Sequence, residues 1–158
     1  MIKTENLVDI LKEQTFLKGF LPQHVERLAA LANEVRFERD QIIFRQGDES
    51  SLFYLISSGK VALEVSALGR TIRVETLDEG DELGWSSLLA SSEKQFQARA
   101  LGTVRALAFD GARLREICEE DPAFGYTLMR RLLGVVAKRL QATRIQLLDM
   151  YSPGGGKP

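Results

Sequence analysis

The chain has 158 residues, the length of one domain with a single hydrophobic core. It carries 21 Lys and Arg residues against 22 Asp and Glu residues, so its net charge of -1 offers no basic excess for non-specific nucleic-acid binding. A single cysteine and a single histidine exclude an internal disulfide, a zinc finger and most hydrolase sites. The N-terminal stretch is too charged for a signal peptide, and no apolar run is long enough to span a bilayer. We therefore expect a cytoplasmic sensor, adaptor or scaffold that is not an enzyme and does not enter a membrane.

The first part of the chain, up to about residue 33, has helical periodicity. Residues 7–11 carry a short apolar stripe, and Pro22 opens a second helix, because proline is tolerated in a first helical turn. His24 falls on the polar side of that second helix, so we interpret it as a surface histidine. The predicted buried face of the second helix consists of Val25, Leu28, Ala29 and Leu31.

The second part, residues 34–110, has strand character. Its apolar runs are short, rich in β-branched and aromatic residues, and separated by turns that contain glycine. Glycine recurs because tight corners need backbone conformations that a β-carbon disfavours. This spacing is typical of an antiparallel sandwich or barrel and not of a parallel sheet. The runs are Gln41–Phe44, Leu52–Ile56, Val61–Val65, Arg70–Val74 and Val104–Phe109.

The third part returns to helix. Asp110 is placed to cap a first helix, and the sequence predicts a second, long helix over residues 122–150. Cys118 lies on the apolar side of the first helix, so we expect a buried structural thiol. Residues 152–158 contain prolines and glycines and are predicted to be a disordered tail. The chain is thus expected to form one domain over residues 1–151.

The long C-terminal helix carries a heptad pattern, with apolar residues at both core positions over more than three heptads. We expect these residues, called the seam below, to form a parallel homodimer. The alternative is a monomer whose helix lies across the barrel with both faces covered. The seam consists of Tyr126, Met129, Leu133, Val136, Leu140, Thr143, Leu147 and Met150.

A second apolar face of this helix is available to pack on the chain's own barrel. It consists of Leu128, Leu132, Val135 and Ile145. The positions beside the seam carry arginines with few acids, so charge pairing does not specify a partner helix. These arginines are Arg130, Arg139 and Arg144.

Several segments together resemble the cyclic nucleotide-binding domain, the sensor part of the catabolite activator protein and of cyclic-AMP-dependent kinase regulatory subunits. Ile42–Asp48 is an apolar strand that ends in a Gly-Asp turn, Leu52–Val61 matches the central strand pair, and Glu79–Gly84 enters the ligand-binding cassette. The resemblance covers residues 16–149. It implies a mainly β fold with flanking helices, in which a jelly-roll barrel (a double-stranded β-helix) precedes a long dimerisation helix. Asp40 departs from the family, which usually has glycine there.

The resemblance also implies a phosphate-binding cassette, in which backbone N–H groups and one arginine hold a cyclic phosphate and a glutamate holds the ribose. Gly84 is present, but Trp85 stands at the glutamate position and Lys94 at the arginine position. A lysine lacks the bidentate fork of arginine, and an indole cannot accept a hydrogen bond from the ribose. Trp85 and Phe96 also occupy volume that a nucleotide needs. By resemblance, the cassette consists of Gly84, Trp85, Ser86, Ser87, Leu88, Lys94, Gln95, Phe96 and Gln97.

These departures favour a non-enzymatic regulatory module that binds cyclic AMP weakly or not at all and acts through a partner protein. One alternative is a signalling protein that binds a cyclic nucleotide or another small anion. The second is a transcription regulator without its own DNA-binding domain, because the eight residues from Tyr151 to Pro158 cannot form a helix-turn-helix. The single-domain bacterial members of the family share Leu83–Ser86 and Leu140–Arg144 with this chain. Direct DNA binding is not expected.

Overall fold

The computed structural model describes residues 4–89 and 93–151, and the predicted tail lies outside these residues. In the described part, helices flank two antiparallel sheets. The helices are α1 (Thr4–Lys12), α2 (Pro22–Leu31), α3 (Gly111–Glu120) and α4 (Pro122–Tyr151), and 3-10 turns occupy Thr15–Leu17 and Trp85–Leu88. The strands are β1 (Asn33–Phe37), β2 (Ile42–Phe44), β3 (Leu52–Ser58), β4 (Val61–Ala67), β5 (Arg70–Leu77), β6 (Glu82–Leu83), β7 (Gln97–Ala100) and β8 (Val104–Asp110).

The two sheets have the strand orders β1-β8-β3-β6 and β2-β7-β4-β5, and all their pairings are antiparallel. The predicted mainly β fold with flanking helices, with its jelly-roll barrel and long C-terminal helix, is confirmed. Every predicted strand run has a counterpart in the structure. Strands β1, β6 and β7 have no counterpart among the predicted runs, because none of the three stands out as an apolar run.

Strand β3 is buried on both faces, which explains its unbroken apolar sequence. Tyr54 and Ile56 point into the barrel, where they join a core formed by both sheets. Phe53 and Leu55 point to the other side and pack against the helices. Side chains alternate between the two faces of a strand, so β3 joins two apolar cores. This strand thereby fixes the helices against the barrel.

The interpretation of His24 as a surface residue is wrong. Its side chain is buried, with Nε2 3.1 Å from the Oδ2 atom of Asp121. The ring also lies edge-on to Phe124, with centroids 5.3 Å apart. The periodicity of α2 placed His24 opposite the apolar side chains, but the start of α4 covers that opposite side as well. The histidine therefore links α2 to α4.

Two local backbone features follow from single residues. Asp110 caps α3, because its Oδ1 atom accepts a hydrogen bond from the Ala112 N–H at 2.9 Å. Asp40 has a φ of 67°, a left-handed conformation that glycine adopts most easily. The residue thus departs from the family in type, while the backbone keeps a conformation that suits glycine.

Helix α3 packs closely against α4. A Cβ atom on Gly125 would lie 3.0 Å from the Cβ of Cys118, so only glycine permits this approach. Cys118, which was expected to be buried, is only partly buried; burial raises the pKa of its thiol, with a smaller effect from Glu119. None of the helices in the described ranges combines the length and the apolar character that crossing a bilayer requires.

Candidate functional site

The candidate cassette begins at a sharp turn after β6. Gly84 has a φ of 84°, and a Cβ atom there would lie 2.5 Å from the carbonyl oxygen of Leu52 and 2.8 Å from the Nζ of Lys94. Both the backbone conformation and the crowding therefore require glycine. The 3-10 turn Trp85–Leu88 follows directly.

The turn Trp85–Leu88 is attached to the rest of the molecule at three points. The hydroxyls of Ser50 and Ser86 share a hydrogen bond of 2.6 Å. Arg115 on α3 donates a hydrogen bond to the carbonyl oxygen of Ser87. A Cβ on Gly111 would lie 2.4 Å from that same oxygen, so α3 begins in direct contact with the turn. The cassette turn is thus held by β-barrel and helix together.

Lys94 folds into the barrel and does not extend into solvent. Its side chain is only 5% exposed, and Nζ donates a hydrogen bond to the Leu52 carbonyl oxygen at 2.9 Å. The ammonium also lies 4.5 Å from the centroid of the Phe44 ring, in a cation–π contact. Its backbone N–H donates to the Asp48 carbonyl oxygen at 2.8 Å, which fixes where the side chain begins. Lys94, which the resemblance places at the phosphate-binding position, is therefore bound by the protein itself.

Burial lowers the pKa of Lys94 to about 8, while the nearby carboxylate of Asp48 acts in the opposite direction. A charged amine loses hydration when it is buried, and one carbonyl and one ring compensate only in part. The side chain still carries a positive charge at neutral pH. The Lys94 ammonium is therefore a buried cation that is held by the Leu52 carbonyl oxygen and the Phe44 ring.

Very little volume remains in the candidate cassette. The cavity beside Lys94 measures about 10 Å³, which is about the space that one water molecule requires. Small-molecule sites usually measure about 300–1,000 Å³. The cavity is lined by Phe44, Leu63, Gly84, Trp85, Ser86, Lys94, Gln95, Phe96 and Arg139.

The structure brings six of the nine residues of the sequence-predicted cassette to this cavity: Gly84, Trp85, Ser86, Lys94, Gln95 and Phe96. The remaining three are engaged elsewhere. Ser87 and Leu88 form the second half of the 3-10 turn, and both are buried. The Gln97 amide donates a hydrogen bond to the carboxylate of Glu64 at 2.8 Å. Trp85 is half-buried and also packs against the core beneath the helices, so its indole lies between the cavity and that core.

Arg139 is a residue of this site that the sequence analysis missed. Its position beside the seam predicted an arginine with few acids near it, but the side chain is buried and paired. Its Nη2 donates hydrogen bonds to the carbonyl oxygen of Glu82, at 3.0 Å, and to the Glu82 carboxylate. Its Nε lies 3.5 Å from the Oε1 of Glu75. The only signal in the sequence was Glu82 itself, a carboxylate directly before the buried Leu83.

This ion-paired group joins α4 to the strand that leads into the cassette. Burial raises the pKa of Glu82, and the neighbouring Arg139 opposes that rise. A buried carboxylate without its arginine would be costly. The position of α4 and the position of the cassette turn are therefore coupled through Arg139.

Most seam residues of α4 are exposed in the single chain. Tyr126, Leu133 and Leu140 are between 62% and 71% exposed, and Val136 is partly buried. On the opposite face, Leu128 and Leu132 are buried and Val135 is partly buried, as expected. Ile145 was expected to pack with them, and this was wrong: it is 53% exposed, and the next residue, Gln146, contacts the barrel instead, donating hydrogen bonds to the carbonyl oxygens of Arg73 and Val74.

The model of the cyclic nucleotide-binding domain matches residues 34–121, which is more than half of the chain. The chain therefore belongs to the cyclic nucleotide-binding domain family. It is similar to the CRP-like cAMP-activated global transcriptional regulator of Mycobacterium tuberculosis, with 27% identity over 143 residues. That match covers 90% of this chain and 62% of the relative, so the chain spans less than two thirds of the relative's length.

Two further comparisons agree. The cAMP-dependent protein kinase regulatory subunit of Dictyostelium discoideum is 36% identical over 119 residues, which cover 73% of this chain and 36% of that protein. The crystal structure of the Thermus thermophilus catabolite activator protein superposes with a TM-score of 0.70 and 26% identity. It covers 84% of this chain, which covers 61% of that structure's chain. The relatives named here are regulators.

Proposed function

We propose that this chain is a non-enzymatic regulatory module whose cassette is closed by its own Lys94, so that it binds cyclic AMP weakly or not at all. It acts as a homodimer through α4 and on a partner protein in the cytoplasm. The observation that carries the proposal is the inward position of Lys94, bonded to the Leu52 carbonyl oxygen beside a cavity of about 10 Å³.

Cyclic AMP would face three costs at this cassette. It would have to displace Lys94 from its carbonyl and from the Phe44 ring, and it would have to open a cavity that is now filled. It would also lack two of the partners that the family provides, the arginine for the phosphate and the glutamate for the ribose. Hydrogen bonds to charged groups are worth about 1.5–3 kcal/mol each. The loss of two such bonds weakens binding by about a hundredfold or more.

Isothermal titration calorimetry with cyclic AMP tests this proposal. We expect no saturable heat at micromolar nucleotide from the unaltered chain. The double variant Trp85→Glu with Lys94→Arg restores the two charged partners and is expected to regain measurable affinity, with Trp85→Phe as the control that changes the ring without adding a carboxylate. Micromolar or tighter binding to the unaltered chain would refute the closed cassette.

The dimer is tested separately by light scattering. The double variant Leu133→Asp with Leu140→Asp places charges on the seam and is expected to produce monomers. The matched control, Gln141→Asp with Leu148→Asp, adds the same type of charge at exposed positions beside the seam. A monomeric unaltered protein at about 50 μM, where a micromolar dimer would be mostly formed, would contradict this part.

A further inference from the structure

A groove of about 300 Å³, called the α4 groove below, lies between α4 and the barrel. It lies between α4, the end of β5, the turn before β6 and the 3-10 turn Thr15–Leu17. Its apolar lining consists of Phe16, Leu77 and Val135, of which Val135 is the most exposed. This volume reaches the lower end of the range for small-molecule sites, whereas the cassette cavity does not.

Besides the paired Arg139, three cations on α4 line this groove: Arg130, Arg131 and Lys138. Among the described residues, no carboxylate lies within ion-pair distance of any of them. Two of the three acids that line the groove already form ion pairs. Glu75 and Glu82 both pair with the single Arg139 and Asp81 has no ion pair in the described part of the chain, so the lining carries three acids against four cations. The free charge of the groove is therefore positive, although the whole chain has a net charge of -1.

Gly134 provides an independent indication that this groove is kept open. It lies in the middle of α4 and lines the groove, and a Cβ atom built on it meets no neighbouring atom within 4 Å. Glycine in a helix interior costs about 1 kcal/mol relative to alanine. Gly125 in the same helix is required by its contact with Cys118 at 3.0 Å, but no such contact explains Gly134. A side chain at position 134 would extend over the groove.

The groove also remains accessible in the expected dimer. At 3.6 residues per turn, Arg131, Gly134 and Lys138 lie on the side of α4 opposite the seam. A second copy of the helix on the seam would therefore leave the groove uncovered.

We propose that the α4 groove binds a small organic anion, one with an apolar or aromatic body and a phosphate or a comparable anionic group. The apolar body packs on Phe16, Leu77 and Val135. The anionic group is held by Arg131 and Lys138, with Arg130 at the rim. This site is separate from the cassette and does not depend on whether the cassette binds cyclic AMP.

Calorimetry with 1-naphthyl phosphate on the full chain tests this site. We expect a Kd below about 1 mM for this small ligand. Neutral 1-naphthol should bind at least about tenfold more weakly, because it lacks the charged group. Gly134→Leu fills the groove and should raise the Kd at least about tenfold, while the control Gly134→Ala should leave it unchanged. Circular dichroism and light scattering check that the variants keep their fold and mass.

A second pair of variants tests the role of charge. Arg131→Gln with Lys138→Gln should raise the Kd at least about tenfold, since each removes a charge-assisted hydrogen bond. Arg144→Gln, which removes an exposed cation outside the groove, should not. The proposal is overturned if 1-naphthyl phosphate does not bind at millimolar concentration, if 1-naphthol binds equally well, or if Gly134→Leu has no effect. Tighter binding of a glutamate-rich octapeptide would identify a peptide groove and would also overturn it.

Discussion

The cations of the cassette and those of the α4 groove lie in opposite environments. In the cassette, Lys94 is bound by a carbonyl oxygen and an aromatic ring of its own chain, and about 10 Å³ remains free. In the groove, three cations have no acidic partner among the described residues and about 300 Å³ is open. The comparison shows that a backbone geometry suited to a ligand, such as the Gly84 turn, does not by itself provide a binding volume. The volume depends on where the longest side chains end.

Arg139 lines both regions and separates them. Its guanidinium pairs with Glu82, which precedes the cassette turn, and with Glu75 on β5. This pairing holds α4 at a fixed distance from the barrel. Substitutions at Arg139 are therefore expected to affect both regions at once. Substitutions at Gly84 are expected to affect the cassette alone, and those at Gly134 the α4 groove alone.

The largest effect is predicted for Arg139→Met. The substitution leaves the Glu82 carboxylate buried without its partner, so the free energy of unfolding should fall by about 3–5 kcal/mol. Urea denaturation measures it. The double variant Arg139→Met with Glu82→Leu removes the two most deeply buried charges and leaves only the partly exposed Glu75, so it should recover most of the loss. A loss below about 1 kcal/mol for the single variant would mean that the pair is not buried as described.

A smaller loss is predicted for Gly84→Ala. The new Cβ would meet the Leu52 carbonyl oxygen at 2.5 Å and the Lys94 Nζ at 2.8 Å, in a backbone conformation that L-residues disfavour. Strain and overpacking should together lower the free energy of unfolding by about 2–4 kcal/mol. Thermal and urea unfolding measure this change.

Gly134→Ala is the control for that prediction in the open region. Its Cβ meets nothing within 4 Å, so alanine should stabilise the helix by up to about 1 kcal/mol. The same type of substitution thus has opposite signs in the two regions. Equal effects at both positions would remove the contrast between a filled cassette and an open groove.

The smallest effect is a pH dependence due to Lys94. Its pKa is lowered to about 8 in the folded chain, against an ordinary value of about 10.4 in the unfolded chain. Above pH 8 the unfolded chain therefore binds a proton that the folded chain has released, and stability rises with pH. Between pH 7.5 and 9.5, the free energy of unfolding should rise in the unaltered chain by on the order of 1 kcal/mol more than it does in Lys94→Met. If the free energy of unfolding changes with pH equally in the two proteins, the Lys94 amine is hydrated and its pKa is not lowered, which would contradict this prediction.

Sequence patterns predicted those parts of the molecule that depend on local rules. The strand runs, the Asp110 cap and the glycine turn at Gly84 each follow from backbone preferences, and the family resemblance placed Lys94 near that turn. The sequence also marked Trp85 and Phe96 as bulky residues of the cassette, and both line its small cavity. Residue type and spacing were sufficient for these features.

The features that the sequence did not predict depend on contacts between distant segments. His24 is buried because Asp121 and Phe124, at the start of α4, lie against it, and Arg139 is buried because β6 places Glu82 in front of it. Helical periodicity assigns such side chains to a face but does not show what covers that face. Ile145 shows the reverse error, since an apolar side chain was assigned to a barrel contact that the described residues do not make. The direction of the Lys94 side chain also depends on the Leu52 carbonyl, 42 residues earlier in the chain.

The position of Lys94 in the presence of nucleotide tests the account most directly. A crystal structure determined at millimolar cyclic AMP should show the Lys94 Nζ within hydrogen-bond distance of the Leu52 carbonyl oxygen, with no nucleotide between Gly84 and Phe96. Cyclic AMP bound in that place, with Lys94 turned to contact its phosphate, would contradict the closed cassette.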